Sequence, residues 1–593
     1  MRIVRLLLSV FVLVSLAAGS AFAAGATTSV RKPSLDKALE RPGKATDKLR
    51  VMVRYEAGAA ERVKALMRGK VDRIKGDNRR SRSLAVEMRR SQLADLCVPD
   101  RIRGIKGCSE DLKVHGGSIA PVALPPAQLS PVVVADPAPP VFDGQNLRAT
   151  LGLQDWDTAY SVGVAVIDSG IAPADDLAGS IQAFYDFTAG GVETAPYDGY
   201  GHGTHIAGLI AGNGYASNGK YVGVAYGTRL IGLKVLDAQG GGYTSDVIAA
   251  IEFATANKAA LGIDVINLSL GHPIFESPAT DPLVQAVESA VTAGIVVVVS
   301  AGNHGYNPVT QEVGYAGITS PGNAPSALTV GSLRTKATAD RSDDEVSLFS
   351  SRGPTWYQGQ VKPDVVAPGQ ALIAINDPTT TLYQNPLLHT DIAPYIKLSG
   401  TSMAAGVATG VVALMIEANR QDEGYGSVLT PNAVKALLQY TALGVDTSTT
   451  DPGIPPAIVQ GAGGLNAAGA LALTRAIDPA VAVGNSWLDG YYTPFTYIAG
   501  TTYAWGQQIV WGDQIVWGDT IGLNRLAWAQ QIVWGDDDQI VWGDSLNLSF
   551  GSNLVTDSFS VWSNQIVWGD NDQIVWGDDD QIVWGDAFGF LEN

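Results

Sequence analysis

The sequence predicts an α/β protein built on a mostly parallel, doubly wound sheet with helices on both faces. Three observations carry that expectation. Short, fully apolar β-rich runs at 163–168, 230–236, 265–269 and 295–299 alternate with longer helix-type patterns, as buried parallel strands do. Residues suited to chemistry stand where such runs end or where glycine-rich turns open helices, which is where reactive groups sit in open parallel sheets. The chain has 593 residues, 46% apolar and 17% charged, enough for a large core and unlike a disordered chain or a coiled coil.

Residues 1–23 read as a cleaved signal peptide, with Arg2 and Arg5 ahead of a 13-residue apolar run and Ala21-Phe22-Ala23 at its end. That run is too short for a membrane anchor, and no other stretch is expected to be long enough to span a bilayer, so no transmembrane anchor is expected in the mature form. Secretion follows, with the cell surface or the periplasm as alternative destinations. Export also allows Cys97 and Cys108, the only cysteines, to pair.

Residues 24–117 form a basic segment with a short strand pattern, polar helix-like sequence and a net charge of +11 through residue 115. Residues 116–593 carry −31. A body this acidic is repelled by phosphate backbones, which excludes nucleic acid as its partner, whereas opposite charge favours docking of the basic segment. Residues 118–146 hold seven prolines with few charges and read as an extended linker. The α/β body occupies 147–476. In the tail, 477–593, the hexamer Gln-Ile-Val-Trp-Gly-Asp recurs seven times, so short strands separated by turns are expected there.

Three motifs in the body carry chemistry. Asp168 ends an apolar run in Val-Ile-Asp-Ser-Gly, His202 opens Gly-His-Gly-Thr-His, and Ser402 lies in Gly-Thr-Ser-Met-Ala. Each alone is weak, since the first suits a turn and the last a helix cap. In order they make Asp…His…Ser, one known arrangement for nucleophilic catalysis.

With these motifs, and with Gly240-Gly-Gly-Tyr243, Asn267-Leu-Ser-Leu-Gly271, Ser300-Ala-Gly-Asn303, Lys362-Pro-Asp364 and Gly461-Ala-Gly-Gly-Leu-Asn466, the chain resembles the subtilisin-like serine peptidases across about 147–474. The resemblance implies a subtilisin-like fold and a secreted serine endopeptidase acting on polypeptides through an acyl-enzyme. It makes Ser402 the nucleophile, His202 its base and Asp168 the group that orients the imidazole. Asn303 and the Ser402 backbone N–H become the oxyanion donors. Gly240, Gly241, Gly242, Ser269, Leu270 and Gly271 line the cleft as edges for an extended substrate. More faintly, residues 49–113 resemble the family's small α+β inhibitory propeptide. An autoprocessed zymogen is therefore expected, with the linker cut near Ser402 and a mature chain beginning near Leu147.

The chain also departs from the family pattern. Ala405-Gly406-Val407 replaces the usual Ser-Pro-His, His272 replaces a glycine, and Thr319 stands where the primary pocket is shaped. No cofactor is required for the chemistry. Structural calcium is common in the family, and Asp176 stands at one family ligand position, but the metal ligands remain unknown because the loop over 212–221 differs in length. The alternative function is an inactive peptidase scaffold that binds or adheres through its repeats.

Overall fold

The computed structural model describes residue 39 and residues 44–97, 104–116, 146–307, 312–423, 429–478 and 493–505, with four three-residue strands further on. The signal peptide and most of the linker and repeat tail lie outside the described residues.

Residues 48–110 form a small α+β unit. Its strands β1 (Lys48–Tyr55), β2 (Arg73–Asn78), β3 (Ser83–Arg89) and β4 (Ile105–Glu110) make an antiparallel sheet in the order β2-β3-β1-β4. The two helices are Ala60–Met67 and Arg90–Leu96, and a Cys97–Cys108 disulfide ties the end of the second to β4. Strand alternation gives the sheet two apolar faces. Val51, Val53, Leu84 and Val86 belong to the unit's own core, whereas Met52 and Ala85 join a cluster of the α/β body.

In that body, β6 (Gly163–Asp168), β7 (Ile181–Asp186), β9 (Arg229–Lys234), β11 (Val265–Leu268), β13 (Val296–Ser300) and β16 (Leu328–Arg334) run parallel, in the order β16-β13-β11-β6-β9-β7. Short antiparallel strands finish each side. Side-chain alternation again divides the layers. Val164 and Val166 of β6 pack with the His202–Ala211 and Thr401–Glu423 helices, and Ala165 and Ile167 with the Thr244–Ala256 and Pro282–Thr292 helices. The doubly wound expectation therefore holds. Among the described residues one helix stretch, Thr401–Gln421, is long and apolar enough to cross a membrane, and it is wholly buried in the body. That burial explains its composition.

The body does not end at 476. A hairpin of Phe495–Ile498 and Thr501–Ala504 packs against it, burying Ile498 and Trp505 at 1% exposure each. Trp505 meets Tyr440 edge-on at 5.8 Å and donates to Thr496 Oγ1 at 2.8 Å. In the tail, Ile515–Trp517 pairs with Ile540–Trp542 in parallel, and Val567–Gly569 pairs with Gln573–Val575 antiparallel. All four segments fall within the repeats.

Candidate active site

Asp168 closes the central strand β6 and is fully buried. Its Oδ1 accepts from Ser169 N at 2.7 Å and faces His202 Nδ1 at 2.7 Å. His202 is the first residue of its helix, which Asp198 anchors by accepting from Gly201 N (2.8 Å), Thr204 N (3.0 Å) and Thr204 Oγ1 (2.7 Å). The next position has to be glycine, because a Cβ on Gly203 would lie 2.1 Å from Gly170 O. That close approach brings the imidazole against the carboxylate. Below them, Lys234 Nζ donates to Ser169 O at 2.6 Å and to Leu236 O at 2.5 Å, holding the turn after Asp168.

Complete burial opposes charge on His202, but the Asp168 carboxylate and its hydrogen bond, with Asp198 beyond, outweigh it, so the imidazole pKa is raised. His205, one turn along, behaves oppositely. Burial and the neighbouring His202 press its pKa down to about 3, and its Nε2 meets Leu372 O at 3.2 Å. It is a neutral core histidine.

Ser402 is the second residue of the Thr401–Glu423 helix, so its N–H lies in the first turn, where no intrahelical acceptor exists. Its Oγ donates to Ser269 O at 3.0 Å, and Ser269 Oγ donates back to Ser402 O at 3.0 Å. Among the described residues His202 Nε2 has no hydrogen-bond partner. The structure thus pairs Asp168 with His202 at 2.7 Å, while the Ser402 hydroxyl is engaged by the Ser269 carbonyl at 3.0 Å. Asn303 follows β13, and its Oδ1 accepts from Thr401 N (3.0 Å) and Thr401 Oγ1 (3.1 Å). Holding the carbonyl end orients the NH2 end of the amide.

The cleft edges are β10 (Gly241–Tyr243) and β12 (Leu270–Gly271), with Gly240 and Ser269 flanking them. Between them runs a strand of the same chain, β5 (Lys113–Gly116), antiparallel to both. Just upstream, Asp111 of the basic segment accepts from Ser245 N (2.8 Å), Ser245 Oγ (2.9 Å) and Arg50 Nε (2.8 Å), capping the Thr244–Ala256 helix from outside. Sequence reasoning missed both contacts, because four residues of β5 are too few to show a period and Asp111 caps a helix 133 positions away. It also missed Glu276, which lies 3.4 Å from Arg54 of the basic segment.

Of the departures from the family pattern, His272 lies buried, its Nδ1 against Pro273 O at 2.8 Å, and exchanges backbone hydrogen bonds with Ser320. Thr319 is buried beside Ala301. The Thr401–Glu423 helix runs unbroken through Ala405-Gly406-Val407.

Tyr395 OH (2.5 Å) and Ala216 N (2.8 Å) each donate to one oxygen of Asp176. Among the described residues no three His, Cys, Asp or Glu side chains gather to hold a metal.

A carboxylate, an imidazole and a hydroxyl in Asp…His…Ser order at the carboxyl edge of a doubly wound sheet define a protein of the serine-peptidase class. Residues 160–463 match the Subtilase family (Peptidase S8), and the chain belongs to it. It is 40% identical over 316 residues to "Serine protease AprX" of Bacillus subtilis (strain 168), covering 52% of this chain and 66% of that protein. It is 33% identical over 282 residues to "Subtilisin" of Bacillus sp. (strain TA39), covering 46% and 59%. The match thus spans somewhat under two thirds of each relative's length. The solved structure of fervidolysin from Fervidobacterium pennivorans, titled a keratinolytic enzyme related to subtilisin, is similar with a TM-score of 0.55 at 21% identity, over 74% of this chain and 63% of that one. That likeness concerns the fold alone.

Proposed function

We propose that the chain is a secreted serine endopeptidase made as an autoprocessed zymogen. Ser402 attacks the peptide carbonyl, His202 takes its proton and returns it to the leaving amine, and Asp168 stabilises the imidazolium. Asn303 and the Ser402 N–H hold the developing oxyanion. Polypeptides bind extended between residues 240–242 and 269–271, pairing their backbone with both edges. The segment 24–117 acts as the enzyme's own inhibitor until it is removed.

The observation that carries this reading is the buried Asp168–His202 pair at 2.7 Å, with β5 lying as a third strand between the β10 and β12 edges, in the slot a substrate would use. The chain's own strand therefore supports both the substrate mode and the inhibition. No metal enters any step.

Trapping with a fluorophosphonate tests the chemistry. The processed wild type should label and lose activity together, and Ser402→Ala should do neither. A processed wild type that neither labels nor cuts peptides would turn the reading toward a scaffold that works through its repeats.

A further inference from the structure

Strand β13 ends at Ser300, so Asn303 stands in the irregular segment after it, where no sheet ladder fixes the backbone. A distant segment, 348–352, supplies the missing bonds. Ser351 N donates to Gly302 O at 2.9 Å, and Ser351 Oγ accepts from His304 N at 3.0 Å. One fully buried serine therefore holds the chain immediately before and immediately after Asn303. A step further on, Gly305 N donates to Phe349 O at 3.0 Å. The two segments lie too close for side chains at either glycine. A Cβ on Gly302 would sit 2.9 Å from Ser351 Oγ, and one on Gly305 would sit 1.9 Å from Ser350 O.

The serine is fixed in turn by its neighbour. Arg352 is fully buried and pairs with Asp451 through Nε (2.7 Å) and Nη2 (3.1 Å). Its Nη1 donates to Ser350 O (2.9 Å), Leu348 O (3.0 Å) and Gly305 O (3.4 Å). A guanidinium presents its donors in a rigid planar fork, so these bonds lock 348–352 in place against Gly305.

We infer that Ser351 is a positioning residue for the oxyanion donor, setting the backbone on which the Asn303 amide is carried. Thr401 holds the carbonyl end of that amide, at 3.0 Å through its N–H and 3.1 Å through its hydroxyl. Two constraints thus act on Asn303, one on its side chain and one on its main chain. An oxyanion donor works only where it already points at the charge that develops, so loosening the main chain weakens it without removing it. The inference rests on the endopeptidase reading above and adds to it a residue far from the three that react.

The test compares kcat and KM of wild type, Ser351→Ala, Asn303→Ala and the double variant as processed enzymes on one peptide substrate, with Ser402→Ala as the blank. Ser351→Ala should lower kcat about tenfold with KM nearly unchanged, less than the loss of the donor itself. The pH midpoint set by His202 should not move. The inhibition constant of a peptide boronic acid, whose tetrahedral oxygen occupies the same donors, should rise about tenfold as well. Ser351→Cys keeps a weaker acceptor and should fall between wild type and Ser351→Ala. In the Asn303→Ala background, Ser351→Ala should cost less than about twofold more, because the donor it positions is gone. An unchanged kcat in Ser351→Ala, or an equal loss in both backgrounds, would overturn the inference and leave the endopeptidase reading standing. Full kcat in Asn303→Ala would overturn both this inference and the oxyanion role, and a wild type no faster than the Ser402→Ala blank would overturn the endopeptidase reading itself.

Discussion

Asp111→Ala probes how the basic segment is held on the body. The Asp111 side chain is fully buried and bonds Ser245 N, Ser245 Oγ and Arg50 Nε. Losing a helix cap costs about 1 kcal/mol. Arg50 belongs to the same segment as Asp111, so their ion pair is not part of the docking energy. Two hydrogen bonds from Ser245 to this charged acceptor, one of them a cap, contribute about 2 kcal/mol, so their loss weakens docking by about 30-fold. The assay titrates mature enzyme with the separated segment 24–117, wild type or variant, and reads the inhibition constant. Circular dichroism checks that the variant segment remains folded. Asp111→Asn keeps an acceptor and should fall between the two. A folded Asp111→Ala segment that inhibits within threefold of wild type would refute the trans-capping argument. Because the contact is buried, the difference between the two segments should persist in salt, while overall docking of the +11 segment weakens.

Other outcomes follow from the same contacts. Asn303→Ala should lower turnover by about 10²–10³ with little change in KM, a magnitude taken from subtilisin itself rather than worked from this structure; an unchanged kcat would remove Asn303 from the oxyanion role. His202 must be neutral to accept a proton and its pKa is raised, so kcat/KM should climb with its midpoint above pH 6.5, and a flat profile from pH 5 to 8 would exclude it as the base. In the docked state Glu276 is raised to about 8, chiefly by burial and against the pull of Arg54, with Asp281 adding to the rise. A pKa raised on docking means the complex holds a proton that the separated parts release. Inhibition by the segment should therefore weaken as pH rises through about 5–8, and Glu276→Gln should flatten that slope. Truncation after Ala476 exposes the seat of Ile498 and Trp505, and Trp505→Ala alone should cost about 3–5 kcal/mol, read as a lower Tm, whereas truncation after 506 should leave Tm unchanged.

The sequence by itself was enough to predict the sheet and to nominate the candidate reacting groups. Runs such as Val164–Ile167 are apolar at every position because a parallel strand is covered on both faces, and that signal survives without any tertiary context. Asp168, His202 and Ser402 could be nominated because each stands in a short glycine-containing motif, at a strand end or a helix start, that is written in adjacent residues. Burial of the 401–421 stretch was not, since an apolar helix has the same composition in a core as in a bilayer. Nor was the end of the body at Trp505, which depends on Tyr440 and Thr496 lying nearby. Only the tertiary structure decided which strand fills the cleft. β5 is four residues long, and its register comes from Gly240 to Tyr243 and from Leu270 and Gly271, more than 120 positions away. Backbone pairing across such a distance leaves no local pattern, because its partners are set by how the sheet edges meet and not by the order of side chains along the strand.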